Sequence, residues 1–335
     1  MKQTMPACVL GCLMAAPVWG ESALPAVLMP YPPEKTVLVD VQSIGVFGSD
    51  VERTGTGVGL AINDIDVRGR LWSEGVGDEA TPDTRAALRL RLHTLTIESS
   101  DPVFPEGLMD LFVGGGMTHQ LDESDWSVSW ALGVGYAGQV RDNDGDLSFD
   151  GEDGWYGSAG VAATHQVDER TSYTVLLDWN GNRSVFPDIP LPGFIYTQRL
   201  DVETPLIVSF GFPYAAVSWQ PMDRLTVEGT WFFPESVEAM VTYEVHERFD
   251  VYVSLTGQAE AYATKALPED RRMFFEQDRA ELGFSWKANP DIELGAAVGY
   301  AFNQEFSTGF DRRDDTTLRK LDDAPYLGLH ARFAF

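Results

Sequence analysis

The sequence predicts an all-β chain that closes into an antiparallel transmembrane β-barrel of about fourteen strands, with about twelve as the alternative. Three observations predict it. Polarity alternates with a period of two along most of the chain. Short polar turns alternate with long polar links. The chain finishes on an alternating segment tipped by Phe335.

The first residues are set aside from the fold. Lys2 supplies a positive start, an apolar run extends from Ala7 to Trp19, and Val18 and Gly20 are small enough to precede a cut. This reads as a signal peptide over 1–20, leaving 21–335 as one barrel domain. A buried N-terminal helix and a lipoprotein box at Val9-Leu10-Gly11-Cys12 are the alternatives. Cys8 and Cys12 both fall inside the segment, so the chain beyond it contains no cysteine. Disulfides, thiolate metal sites and cysteine nucleophiles are thereby excluded from the barrel domain. The formal net charge of -27 disfavours nucleic acid as a partner, since a phosphate-binding surface needs a basic excess. No apolar run beyond the signal is long enough for a spanning helix, which leaves barrel strands untouched as a possibility.

The strands follow in order. Leu88, Leu90 and Leu92 alternate with Arg89, Arg91 and His93. Trp126, Val128, Trp130, Leu132 and Val134 alternate with serine, alanine and glycine. Tyr173, Val175, Leu177 and Trp179 keep the same period, as do Val251, Val253 and Leu255. Ala280, Leu282, Phe284 and Trp286 do so again, followed by Ile292 through Phe302. Such strands have a different solvent on each face. The expected spans are 35–47, 55–72, 84–98, 107–120, 125–139, 154–166, 171–181, 205–219, 223–233, 237–246, 249–262, 272–288, 291–303 and 324–335. The stretch 186–196, with three prolines, is expected to be a loop.

Tight turns fall near 122–125, 168–171, 221–224, 246–249 and 289–291; long links span 139–154, 181–204, 262–272 and 304–323. Short turns on one side and long loops on the other, with an even strand count, place both termini on one side. The brief link near 233–237 departs from this pattern. Trp126, Trp179, Trp219, Trp231, Trp286, Tyr300 and Phe302 fall near strand ends on the outward face, as interfacial girdles require. A soluble two-sheet sandwich is the competing fold; its strands would not carry girdles.

The last ten residues, Tyr326-Leu-Gly-Leu-His-Ala-Arg-Phe-Ala-Phe335, resemble the C-terminal strand of bacterial outer-membrane β-barrels. Leu327, Leu329, Ala331, Phe333 and Phe335 fill one face; His330 departs from the family pattern, where glycine is common. The resemblance is to porin-like barrels as a class and covers only this strand. It implies residence in the outer membrane of a Gram-negative-type bacterium, contact with outer-membrane lipid, and recognition by the barrel-assembly machinery through Phe333 and Phe335.

The inward face carries the candidate chemistry. Arg68, Arg70, Arg89, Arg91, His330 and Arg332 lie on strands that become neighbours on closure. Glu228, Glu238, Glu244 and Glu260 lie on strands roughly opposite. A basic wall would face an acidic wall across water, tuning passage of small solutes; alternatively these charges pair locally and plug the lumen. Asp142, Asp144, Asp146 and Asp150 surround a glycine in a spacing that suits calcium, or simply a solvated outside loop. The five histidines sit in no motif that predicts a nearby serine and acid, so no catalytic residue is assigned and a non-enzyme is expected. The function expected is porin-like passage of small hydrophilic solutes through a charged lumen. A structural or surface-interaction barrel with a plugged lumen, and a lipid-modifying enzyme, are the rivals.

Overall fold

The structure, a computed structural model, describes residues 23–28, 36–72, 84–122, 124–141, 154–201, 204–233, 236–265, 267–268 and 270–335. A short helix α1 (Pro25–Leu28) precedes β1 (Val37–Asp50), β2 (Gly57–Trp72), β3 (Thr84–Ser99), β4 (Gly107–Gln120), β5 (Trp126–Arg141) and β6 (Trp155–Gln166). There follow β7 (Thr171–Asn180), β8 (Leu191–Asp201), β9 (Pro205–Phe212), β10 (Tyr214–Met222), β11 (Leu225–Phe232) and β12 (Ser236–His246). The last are β13 (Phe249–Tyr262), β14 (Arg272–Asn289), β15 (Ile292–Gly309), β16 (Thr316–Leu321) and β17 (Ala324–Ala334).

Each of β1 to β15 pairs antiparallel with the next, β15 pairs with β17, and β17 pairs with β1, closing a barrel of 16 strands. The seam is in register from Leu38 opposite Ala334 to Val46 opposite Tyr326. Beyond it the amides of Thr36 and Val37 both donate to the carbonyl of Phe335. Closure satisfies the edge groups that lipid could not. β16 pairs with β15 beyond the wall and touches the β1–β2 link through a bridge from Val51 to Leu321.

The strand count corrects the expectation of about fourteen or twelve. The stretch 186–196 is not wholly loop, because Leu191–Asp201 forms β8. Two of its three prolines precede the strand and Pro192 stands at its second position, where a missing N–H costs little. The expected strand 205–219 is two strands, β9 and β10, joined at Pro213. The outward phase slips there, from Leu206, Val208, Phe210 and Phe212 to Ala215, Val217 and Trp219. Adding two strands preserves parity, so the turns and termini keep their expected sides.

The outward face is apolar. Phe210 is 71 % exposed, Leu329 64 % and Leu132 59 %. Such a surface would aggregate in water. A closed antiparallel barrel wearing it belongs in the outer membrane of a Gram-negative-type bacterium, which is where this chain resides.

The interior is uneven along its axis. β13 alternates in burial as far as Thr256, then all of 257–262 is buried on both faces. The cause is an inward turn: Ala263 accepts from the amide of Gln139 and donates to the carbonyl of Ala137, joining the outer ends of β13 and β5 across the lumen. The outer ends of β14 and β15 follow, so Phe274, Phe275 and Phe306 are all fully buried. Phe275 and Phe306 pack with Phe104, Ile97, Leu95, Ile62 and Leu60 into an apolar cluster in the outer half beside β1–β4. The β7–β8 link lies against this flap: Asn182 donates to the carbonyl of Ala261, and Arg272 donates to Asn182 Oδ1 and the carbonyl of Arg183. α1 also lies inside the barrel, on β3–β5. The amide of Ala23 donates to Ser158, and Leu24 occupies the space a side chain at Gly160 would need.

Candidate functional site

The alternation that makes the outside apolar makes the inside polar. Even positions of β1, β2 and β17 and odd positions of β3 face inward, and the register brings Asp40, Asp66 and Arg91 level with Arg332. On this wall the charges form a ladder. Arg332 Nε lies 2.6 Å from Asp40 Oδ1 and Arg68 Nη2 lies 2.5 Å from Asp40 Oδ2. Arg89 forks onto both oxygens of Asp66 at 3.1 Å. His93 Nδ1 lies 2.9 Å from Asp64, which Arg91 also meets at 3.4 Å. Bidentate geometry and repeated sharing make such pairs stronger than isolated ones.

Arg91 also reaches across the barrel, where its Nη2 meets Glu260 Oε1 of β13 at 2.9 Å. Both side chains are 4 % exposed. Tyr156 of β6 donates to Asp110, 4.0 Å from Arg91 Nη1. This cross-strut ties the inward-bent end of β13 to the β3 wall.

Towards the short-turn end the lumen opens into a cavity of about 900 Å³. Arg89, Arg91 and Arg332 border it on one side and Glu228, Glu238 and Glu244 on the other. The second wall also includes Asp250, Glu281, Lys287 and Glu293. Lys287 Nζ pairs with Asp250 at 2.7 Å, and Tyr326 donates to Glu281 at 2.6 Å. Glu228 and Glu238 make no hydrogen bond or ion pair among the described residues, and Glu228 Oε1 is shut off from solvent.

All nine residues expected to line a pore take inward register positions: Arg68, Arg70, Arg89, Arg91, Arg332, Glu228, Glu238, Glu244 and Glu260. Their arrangement differs from two facing walls of opposite charge. The arginines are neutralised by Asp40, Asp64 and Asp66, and Glu260 touches Arg91 instead of standing opposite it. Arg70 lies near the end of β2 opposite Ala87. The three aspartates went unassigned in the sequence, although Asp64-Ile-Asp66-Val-Arg68 alternates in the phase that sends all three charges inward. The calcium candidates Asp142, Asp144, Asp146 and Asp150 lie outside the described residues.

No protein-family model matches the chain, and no curated protein sequence does. Among solved structures it is similar to Pseudomonas putida OprB at low pH, with 9% identity, a TM-score of 0.46, and coverage of 90% of this chain and 92% of that one. It is also similar to an outer membrane channel from Pseudomonas putida F1, with 11% identity, a TM-score of 0.40, and coverage of 90% and 96%. A third similarity is to the NanC porin, with 9% identity, a TM-score of 0.29, and coverage of 89% and 100%. These are likenesses of overall shape only.

Proposed function

We propose that this barrel is a channel for small hydrophilic solutes, wide and charged at its periplasmic end and narrowed outward by the flap of β13–β15. The observation that supports the reading is the 900 Å³ cavity, bordered by acidic and basic side chains, within a wall whose other face meets lipid. Burying so many charges costs free energy unless water reaches them, and a cavity of this size supplies that water. Small outward movements of the flap would connect the cavity to the outer mouth.

A second reading has its own support. The apolar cluster and the β5–β13 junction resemble a plug, and a plugged barrel could serve as a structural or surface-interaction protein. Recording from refolded protein in planar bilayers separates the two. Stepwise ion conductance is expected of the channel. A silent membrane containing folded barrel would overturn the channel reading and leave the plugged one.

A further inference from the structure

The ladder on β17, β1, β2 and β3 spends its positive charge on its own aspartates. What remains to act on a solute is the opposite wall. There Glu228 of β11 and Glu238 of β12 face inward as diagonal neighbours, because Glu228 stands opposite Met240 and Thr230 opposite Glu238. Diagonal positions on adjacent strands are about 7–8 Å apart. The positive groups whose field reaches these carboxylates are already engaged: Arg332 is held by Asp40, and Arg279 donates to Gln258. Two carboxylates at that spacing, both turned into one cavity, repel each other unless one takes a proton or something positive sits between them.

Two further observations point to an occupant. Glu228 Oε1 is buried without any donor. Ser254 of β13 borders the same cavity, is 4 % exposed, and its hydroxyl has no partner among the described residues. Buried polar atoms are almost always satisfied, so an atom such as Glu228 Oε1 marks a place where a ligand or water completes the set. The spacing argues against a bare metal ion, since no three carboxylate or imidazole side chains among the described residues converge as a metal cage would. It suits an organic cation carrying its own N–H donors.

We propose that Glu228 and Glu238, with Ser254 beside them, form a seat for a short aliphatic ammonium or diammonium entering from the periplasmic end. This rests on the lumen being a solute path and names the class of solute it prefers. Each carboxylate takes one N–H of the cation in a charge-assisted bond, and the hydroxyl of Ser254 accepts another.

The test is calorimetric titration of the detergent-solubilised, folded barrel with 1,4-diaminobutane, alongside uncharged 1,4-butanediol. Binding of the diamine and none of the diol is expected, with affinity falling as potassium chloride is raised. The Glu228→Gln, Glu238→Gln double variant should lose at least tenfold in affinity. Equal binding by the double variant, equal binding of the diol, or no diamine binding by the native chain would overturn the seat. If the double variant does not fold, the comparison of diamine with diol and the salt series still decide. Binding in detergent does not need conduction, so a silent bilayer would sink the channel and leave the seat to stand or fall alone.

Discussion

At the scale of single residues, burial decides what an ion pair is worth. Arg91 and Glu260 meet in a site that excludes most water, and removing one partner of such a pair strands the other's charge. Glu260→Ala should therefore destabilise the barrel by about 3 kcal/mol in denaturant titrations in micelles, the remaining contacts to Asp64 and Asp110 limiting the loss. By contrast Lys320 and Glu305 pair at 3.3 Å on β16 and β15 with Lys320 53 % exposed. Lys320→Ala should cost roughly 0–1 kcal/mol in the same titration. Equal losses in the two variants would show that the strut is no more buried than the surface pair. The inward charges were legible one by one in the sequence, because alternation fixes which face each side chain takes. Their partners were not, because an ion pair across a barrel depends on register and curvature, which alternation does not encode. Glu260 is the clearest case: its phase gave the lumen, and only the inward bend of β13 gave Arg91.

At the scale of elements, the sequence yielded strands where one face is continuous and failed where phase or proline intervened. β3, β5, β13 and β14 were read within a residue or two because leucine, valine and tryptophan alternate without a break. β8 was hidden by its prolines, and the β9–β10 hairpin by apolar residues on both sides of Pro213. The flap could not be read either, since Gly257, Ala259 and Ala261, which share one face of its buried end, are small residues that suit lipid equally well. The outside links are tied down by local pairs. Asp101, in the link between β3 and β4, accepts from Arg319 Nε of β16 at 2.6 Å. The hydrogen bond from Arg319 holds the Asp101 carboxyl below its ordinary value, against a smaller opposing effect of burial. A depressed carboxyl contributes stability above the unfolded value of about 3.9, lost as pH falls through the folded one. A nitroxide at Glu106 should stay restrained from neutral pH down to about 4 and gain mobility only below it. In an Arg319→Ala background it should be mobile throughout. Restraint that persists in that variant would show that Asp101 and Arg319 do not hold the link.

At the scale of the whole molecule, one physical condition organises everything above. The wall has lipid on one side and water on the other, and it closes on itself through β1 and β17. The cavity, the ladder and the seat for a cation all exist because inward positions are freed from lipid by that closure. The condition can be read residue by residue. Cys8 and Cys12 are the sequence's two cysteines, so in a Cys8→Ser, Cys12→Ser background single cysteines can be placed and spin-labelled along Phe249 to Thr256 of β13 in reconstituted bilayers. Collision with lipid-dissolved oxygen should peak at 249, 251, 253 and 255. Collision with a water-soluble nickel chelate should peak at 250, 252, 254 and 256. A flat profile with neither reagent preferring a phase, or a helical period in its place, would contradict the barrel itself.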